Sequence, residues 1–169
     1  MRNYSFIHPQ LSKLGDDGIS VGIIYNRTKI RPVGRAATTS KGASFSGKRQ
    51  PLAQTFEEIS TLERFTLVVV HLKSKNPPRV GEVAEEDNKD RGDGQGYWNA
   101  DRTKAAKELI EWLSADPTGS QDQDYLILGD MNSYRYEDPI NVFMNAGYVD
   151  LIASHLNSDA YSYAYQGRW

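Results

Sequence analysis

A histidine, an aspartate and an asparagine stand where two strongly apolar runs end. His71 follows Val68-Val69-Val70, and Asp130 with Asn132 follows Leu126-Ile127-Leu128-Gly129. A carboxylate can accept a proton or hold a cation, and a carboxamide can bind an oxyanion without repelling it. With an imidazole added, these groups make a kit for metal-assisted attack on a phosphate. The spacing Asp130-x-Asn132 predicts both side chains on one face of an extended segment, because strand side chains alternate with a period of two. Plainer readings stand beside this one. Gly-Asp after an apolar run is a common turn, and a histidine at a strand end is often a hydrogen-bonded packing residue.

Rigid elements must hold such groups. Residues 65–72 carry the strongest strand signal, apolar almost throughout, which predicts burial on both faces. Residues 124–129 predict another buried strand. Strands are also expected at 19–25, at 52–56 after Pro51, and at 161–165, where tyrosine alternates with serine and alanine. Pro32 argues against one continuous strand around Val33. A helix is expected from Asn99 or Asp101, either of which can cap it, to the stop at Asp116-Pro117-Thr118-Gly119. Ala105, Leu109, Trp112 and Leu113 recur along it at helical spacing. A shorter helix is expected over 139–145, with Ile140, Phe143 and Met144 inward and Gly147 as its stop. Residues 76–96 read as a long surface loop. The class is α/β, of the mixed α+β kind, in which ligands bind at strand ends.

A length of 169 residues fits one domain, and 38% hydrophobic with 25% charged residues is an ordinary globular composition. No apolar run approaches the ~18–20 residues of a membrane span, and the first residues lack the apolar segment of a secretory signal. The absence of cysteine excludes disulfide scaffolds, thiolate zinc sites and cysteine nucleophiles. The net charge of −2 conceals segregation. No acid lies between Asp17 and Glu57, where Arg27, Lys29, Arg31, Arg35, Lys41, Lys48 and Arg49 fall. That stretch could meet a phosphate backbone, or simply be a solvated loop flanking a strand. The acid-rich stretch 82–93 does not follow a calcium-loop pattern and reads as solvated loop.

Six stretches, in order, carry a family resemblance: Asp17-Gly-Ile-Ser-Val-Gly-Ile-Ile-Tyr25, Lys48-Arg-Gln-Pro-Leu-Ala-Gln-Thr-Phe56, Val70-His-Leu-Lys-Ser-Lys75, Asp93-Gly-Gln-Gly-Tyr-Trp-Asn-Ala-Asp-Arg102, Leu128-Gly-Asp-Met-Asn-Ser-Tyr134 with Glu137-Asp-Pro-Ile140, and Tyr161-Ser-Tyr163. The chain resembles the endonuclease/exonuclease/phosphatase superfamily, the fold of pancreatic deoxyribonuclease and exonuclease III-type enzymes, and more narrowly its bacterial secreted-nuclease branch. The resemblance implies part of a four-layered α/β/β/α sandwich with two mixed β-sheets, and divalent-metal-dependent hydrolysis of phosphodiesters in DNA or RNA. The same fold serves phosphomonoesterases and sphingomyelinases.

The resemblance implies roles for single residues. His71 sits beside the scissile phosphate, Asp130 orients or deprotonates the attacking water, and Asn132 binds the phosphate. Asp130 and Asn132 would also hold the metal, Mg2+ with Mn2+ or Ca2+ as alternatives. Arg49 and Arg102 join Asn132 as phosphate-binding residues; the plainer reading of Arg102 is an ion pair with a nearby acid. Tyr25, Asn99 and Ser162 lie in matching stretches, with packing, helix capping and a strand hydrogen bond as their plainer readings. The family's principal metal-binding glutamate and its closing aspartate-histidine pair have no counterpart in these 169 residues. Residues 1–169 are therefore expected to be a single, partial domain cut at both ends, weakly active or inactive alone. Its exposed sheet edges invite self-association. A non-catalytic fragment that binds nucleic acid or itself is the alternative. The expected partners are DNA or RNA and no membrane, and the parent protein is expected to be secreted or periplasmic.

Overall fold

The computed structural model describes residues 3–16 and 18–156. β3 (Ile30–Thr38), β4 (Leu52–Glu58) and β5 (Arg64–His71) run antiparallel in turn, and β6 (Tyr125–Asp130) pairs parallel with β5. The result is a mixed four-stranded sheet in the order β3-β4-β5-β6. A parallel pair needs a crossover rather than a hairpin, and helix α1 (Asn99–Ser114) lies within it. β1 (Tyr4–Phe6) and β2 (Ile24–Asn26) form a two-stranded antiparallel sheet. The short helices α2 (Asp138–Asn145) and α3 (Leu151–Leu156) follow β6.

Side-chain alternation along β4 and β5 divides the core in two. On one face Ala53, Val68 and Val70 meet Ala105, Ala106, Leu109 and Leu113 of α1 and Phe143 of α2. On the other, Leu52, Phe56 and Val69 meet Ile7, Leu14 and Ile23. β5 is thus buried on both faces, as its apolar run requires. Each such side chain contributes about 1.5–3 kcal/mol on burial, so the interior strands β4 and β5 are the most firmly held part of the sheet. Helices, large sheet and small sheet are successive layers of an α+β sandwich.

Several expectations need correction. β3 runs unbroken through Pro32, which pairs with Phe56. It can do so because β3 is at the sheet edge, where a missing N–H costs no ladder bond. The strand then bulges between Val33 and Ala37, where Gly34 takes a φ of +66°. The strand expected at 19–25 is confined to Ile24–Asn26; Gly18 and Gly22 weaken the preceding residues as strand. β6 is not a buried strand: among the described residues it too has no outer neighbour, and Leu126 and Leu128 are 36% and 42% exposed. Met144 faces outward, while Val142 packs against the core instead. α3 was not anticipated; Asp150 caps it through Oδ1, which accepts the Ala153 N–H at 3.0 Å. The strand expected at 161–165 lies outside the described residues. Among those described, no helix is long and apolar enough to cross a membrane.

α1 begins in a way its own sequence conceals. Its N-cap is Trp98, at φ +65°, with no side-chain cap bond. The cap comes from a distance: Asn88 Oδ1 accepts the Asp101 N–H at 3.0 Å while its Nδ2 donates to Asp101 Oδ1. The loop 76–96 is thereby tied to the helix.

Candidate active site at the ends of the parallel strands

The parallel register sets His71 directly against Asp130, each the last residue of its strand. Their side chains meet, with Nε2 of His71 3.6 Å from Oδ2 of Asp130; the carboxylate is 62% exposed and the imidazole 26%. The Leu72 N–H continues the pairing, donating to the Asp130 carbonyl at 2.9 Å. Gly129 lets the strands come this close. Its φ is +129°, and a Cβ there would lie 2.0 Å from the Val70 carbonyl oxygen, so a side chain has no room.

Asn132 reaches the site by a different route from the one expected. The backbone is not extended there, since its φ is +47°. Its N–H donates to Asp130 Oδ1 at 2.9 Å, so an Asx turn rather than a period of two joins the two residues. The turn reading and the functional reading of Gly-Asp-x-Asn are therefore the same feature. Asn132 Nδ2 donates to the Leu72 carbonyl at 3.0 Å, and Arg49 Nη2 donates to the same oxygen at 3.3 Å. Arg49, His71, Asp130 and Asn132 thus gather around the single residue Leu72.

Arg102, expected on the phosphate, has a different job. It has no accessible surface, and its guanidinium donates to the carbonyls of Gln95 at 2.6 Å, Tyr97 at 2.7 Å and Lys73 at 3.4 Å. It clamps the loop before α1 to the segment leaving β5. Burial works against its charge, while nearby Glu137 and Asp101 support it. The signal for this was in the sequence: Arg102 lies on the same helical stripe as buried Ala105, Ala106, Leu109 and Leu113.

Three residues missed by sequence reasoning sit close to this clamp. Lys75 pairs with the buried carboxylate of Glu137, and its Nζ stands 4.3 Å from the Tyr134 ring centroid. All three belong to stretches that carried the family resemblance, but nothing in their types set them apart. Of the others, Tyr25 packs on Phe56 with ring centroids 5.2 Å apart. Asn99 donates to Asp138 Oδ2 at 2.7 Å. Ser162 lies outside the described residues.

For a metal, the site offers the Asp130 carboxylate and the Asn132 amide oxygen, two hard oxygen donors on one turn. Among the described residues, no group of three or more histidine, cysteine, aspartate or glutamate side chains could hold an ion. This donor set suits a hard cation that keeps several waters and takes further ligands from a phosphate, as Mg2+ does.

No protein-family model matches the chain, and no curated protein matches it. Solved structures do. An endonuclease/exonuclease/phosphatase family protein from Bacteroides thetaiotaomicron matches with a TM-score of 0.55 at 16% identity, covering 86% of this chain and 47% of that one. The fold is that of the endonuclease/exonuclease/phosphatase proteins. A mannosyl-6-phosphatase from the same organism matches with a TM-score of 0.52 at 15% identity, over 86% of this chain and 49% of that one. The human Nocturnin catalytic domain with bound sulfate matches at 0.50 and 19%, over 74% of this chain and 38% of that one. The chain thus spans less than half the length of these endonuclease/exonuclease/phosphatase structures.

Proposed function

We propose that this site belongs to a metal-dependent hydrolase that cleaves the phosphodiester backbone of DNA or RNA. The observation that carries the reading is the convergence of Arg49, His71, Asp130 and Asn132 on Leu72 at the end of the parallel pair. Asp130 and Asn132 would hold Mg2+, for which Mn2+ or Ca2+ could substitute. When bound, the ion supplies Lewis acidity for the phosphoryl oxygens. The chain's own groups do the rest. Asp130, open to solvent, orients a water and takes its proton. His71, its Nε2 3.6 Å from the Asp130 carboxylate, donates a proton to the leaving oxygen as the P–O bond breaks. Asn132 has a second amide hydrogen beyond the one given to Leu72, and offers it to the phosphate. Arg49 clamps the phosphate through its guanidinium.

The parent protein, on this reading, is secreted or periplasmic, as in the bacterial branch its motifs resemble. The mannosyl-6-phosphatase of the same fold makes phosphomonoester hydrolysis the second reading. The test is nicking of supercoiled plasmid with Mg2+ or Mn2+ against an EDTA control, alongside release of phosphate from a sugar phosphate. Metal-dependent nicking that disappears in a His71→Ala/Asp130→Ala double variant supports the nuclease reading. Phosphate release without nicking replaces it with the second, and neither activity from a form of the protein that carries the whole fold defeats both.

A further inference from the structure

A cleft of about 540 Å³ opens beside Arg49, lined by Lys73, Asn76, Arg79, Glu82 and Trp98 among others. It adjoins the site, because Arg49 contributes to both and Lys73 follows the shared residue Leu72. Its walls carry three cations against one carboxylate. The floor is fixed: Trp98 is buried, and its Nε1–H donates to the Asn76 carbonyl at 2.8 Å. Lys73 Nζ is held 4.2 Å above the Trp98 ring centroid.

The carboxylate is placed as an anionic ligand would be. Glu82 Oε1 accepts from Lys73 Nζ at 2.5 Å, and Oε2 accepts from the Arg79 backbone N–H at 3.1 Å. An ammonium and a backbone amide converging on two oxygens is also how a phosphate is held. The Lys73 ammonium, first, and the Arg79 amide keep Glu82 below the usual glutamate range, so near neutral pH it stays an anion.

We propose that this cleft is a second phosphate subsite, binding the nucleic-acid strand at the phosphate next to the scissile one, and that Glu82 occupies it in the free protein as an internal anion. An incoming phosphate displaces the Glu82 carboxylate and takes over Lys73, with Arg79 at the mouth. This rests on the nucleic-acid reading of the site and adds to it the residues that grip the flanking strand. Glu82 then sets an electrostatic threshold: only a polyanion that also engages Arg49 competes well enough to enter.

The test is binding of fluorescein-labelled single-stranded DNA in EDTA, followed by anisotropy across a salt series. Arg79→Gln and Lys73→Gln are expected to weaken binding about three- to tenfold and to reduce the slope of log K against log salt by about 0.7–1 each. Glu82→Gln keeps an acceptor for the Arg79 N–H and loses the charge, so it is expected to tighten binding by a similar factor. Opposite signs from neighbouring substitutions cannot arise from unfolding. Lys107→Gln, an exposed cation on α1, serves as the remote control and is expected to change little. Wild-type affinity in Arg79→Gln and Lys73→Gln, or no tightening in Glu82→Gln, overturns the subsite. If the plasmid is nicked all the same, the proposed function stands without it. If the variants behave as expected but a form of the protein that carries the whole fold nicks no plasmid, the subsite stands and the proposed hydrolysis falls.

Discussion

His71→Ala and Asp130→Ala remove different things from one contact. In any form of the protein that nicks DNA, each is expected to cost about 10²–10⁴-fold in turnover, the usual worth of a positioned acid or base. Far-ultraviolet circular dichroism should be unchanged, since both side chains end strands rather than fill the core. Arg102→Leu should do the reverse. It leaves three backbone carbonyls without their donor, a destabilisation of about 2–4 kcal/mol by urea denaturation. Equal stability with a raised KM would return Arg102 to the substrate. These two cases mark the limit of legibility for single residues. Strand ends following apolar runs announce themselves, so the places of His71 and Asp130 could be read directly, whereas the turn at Asn132 could not. A charged residue that satisfies itself on backbone carbonyls is legible only if its helical phase is weighed above its charge, which is why Arg102 was misplaced.

The sheet is pinned across three strands by one carboxylate. Glu57 on β4, nearly buried, accepts from Arg31 Nε on β3 at 2.9 Å and from Arg64 Nε on β5 at 3.0 Å. Arg31 and then Arg64 hold its pKa below the ordinary glutamate value. A lowered folded pKa means the unfolded chain binds the proton more tightly. The stabilisation is therefore full above the ordinary glutamate pKa and is lost as pH falls through the folded one. Melting temperature measured from pH 7 down to pH 3 should fall, and Glu57→Gln should flatten that fall by removing the titrating group. An unchanged slope in the variant would assign the acid sensitivity elsewhere. Elements were legible where burial is two-sided, as for β5, and illegible where an edge relaxes the rules. Pro32 is tolerated and Leu128 is exposed for the same reason: a strand with no outer neighbour among the described residues need satisfy neither ladder nor layer.

At the scale of the molecule, the two edges of the large sheet differ. β3 carries a proline and a bulge, devices that discourage pairing, whereas β6 carries exposed Leu126 and Leu128. Self-association through β6 is the expected outcome, and Leu128→Lys should shift sedimentation velocity toward the monomer at equal concentration. No shift would place any association on another face. The βαβ crossover has one more consequence. Among the described residues, Asp130 rides on a strand paired along a single side, while His71 rides on a strand paired along both. Opening of β6 alone would part them and leave β3, β4 and β5 intact. Amide hydrogen exchange should then be faster along β6 than along β4, in a process separate from global unfolding. Catalytic competence would fluctuate on its own timescale, and a population fully folded by every spectroscopic signal would still contain molecules momentarily without an active site.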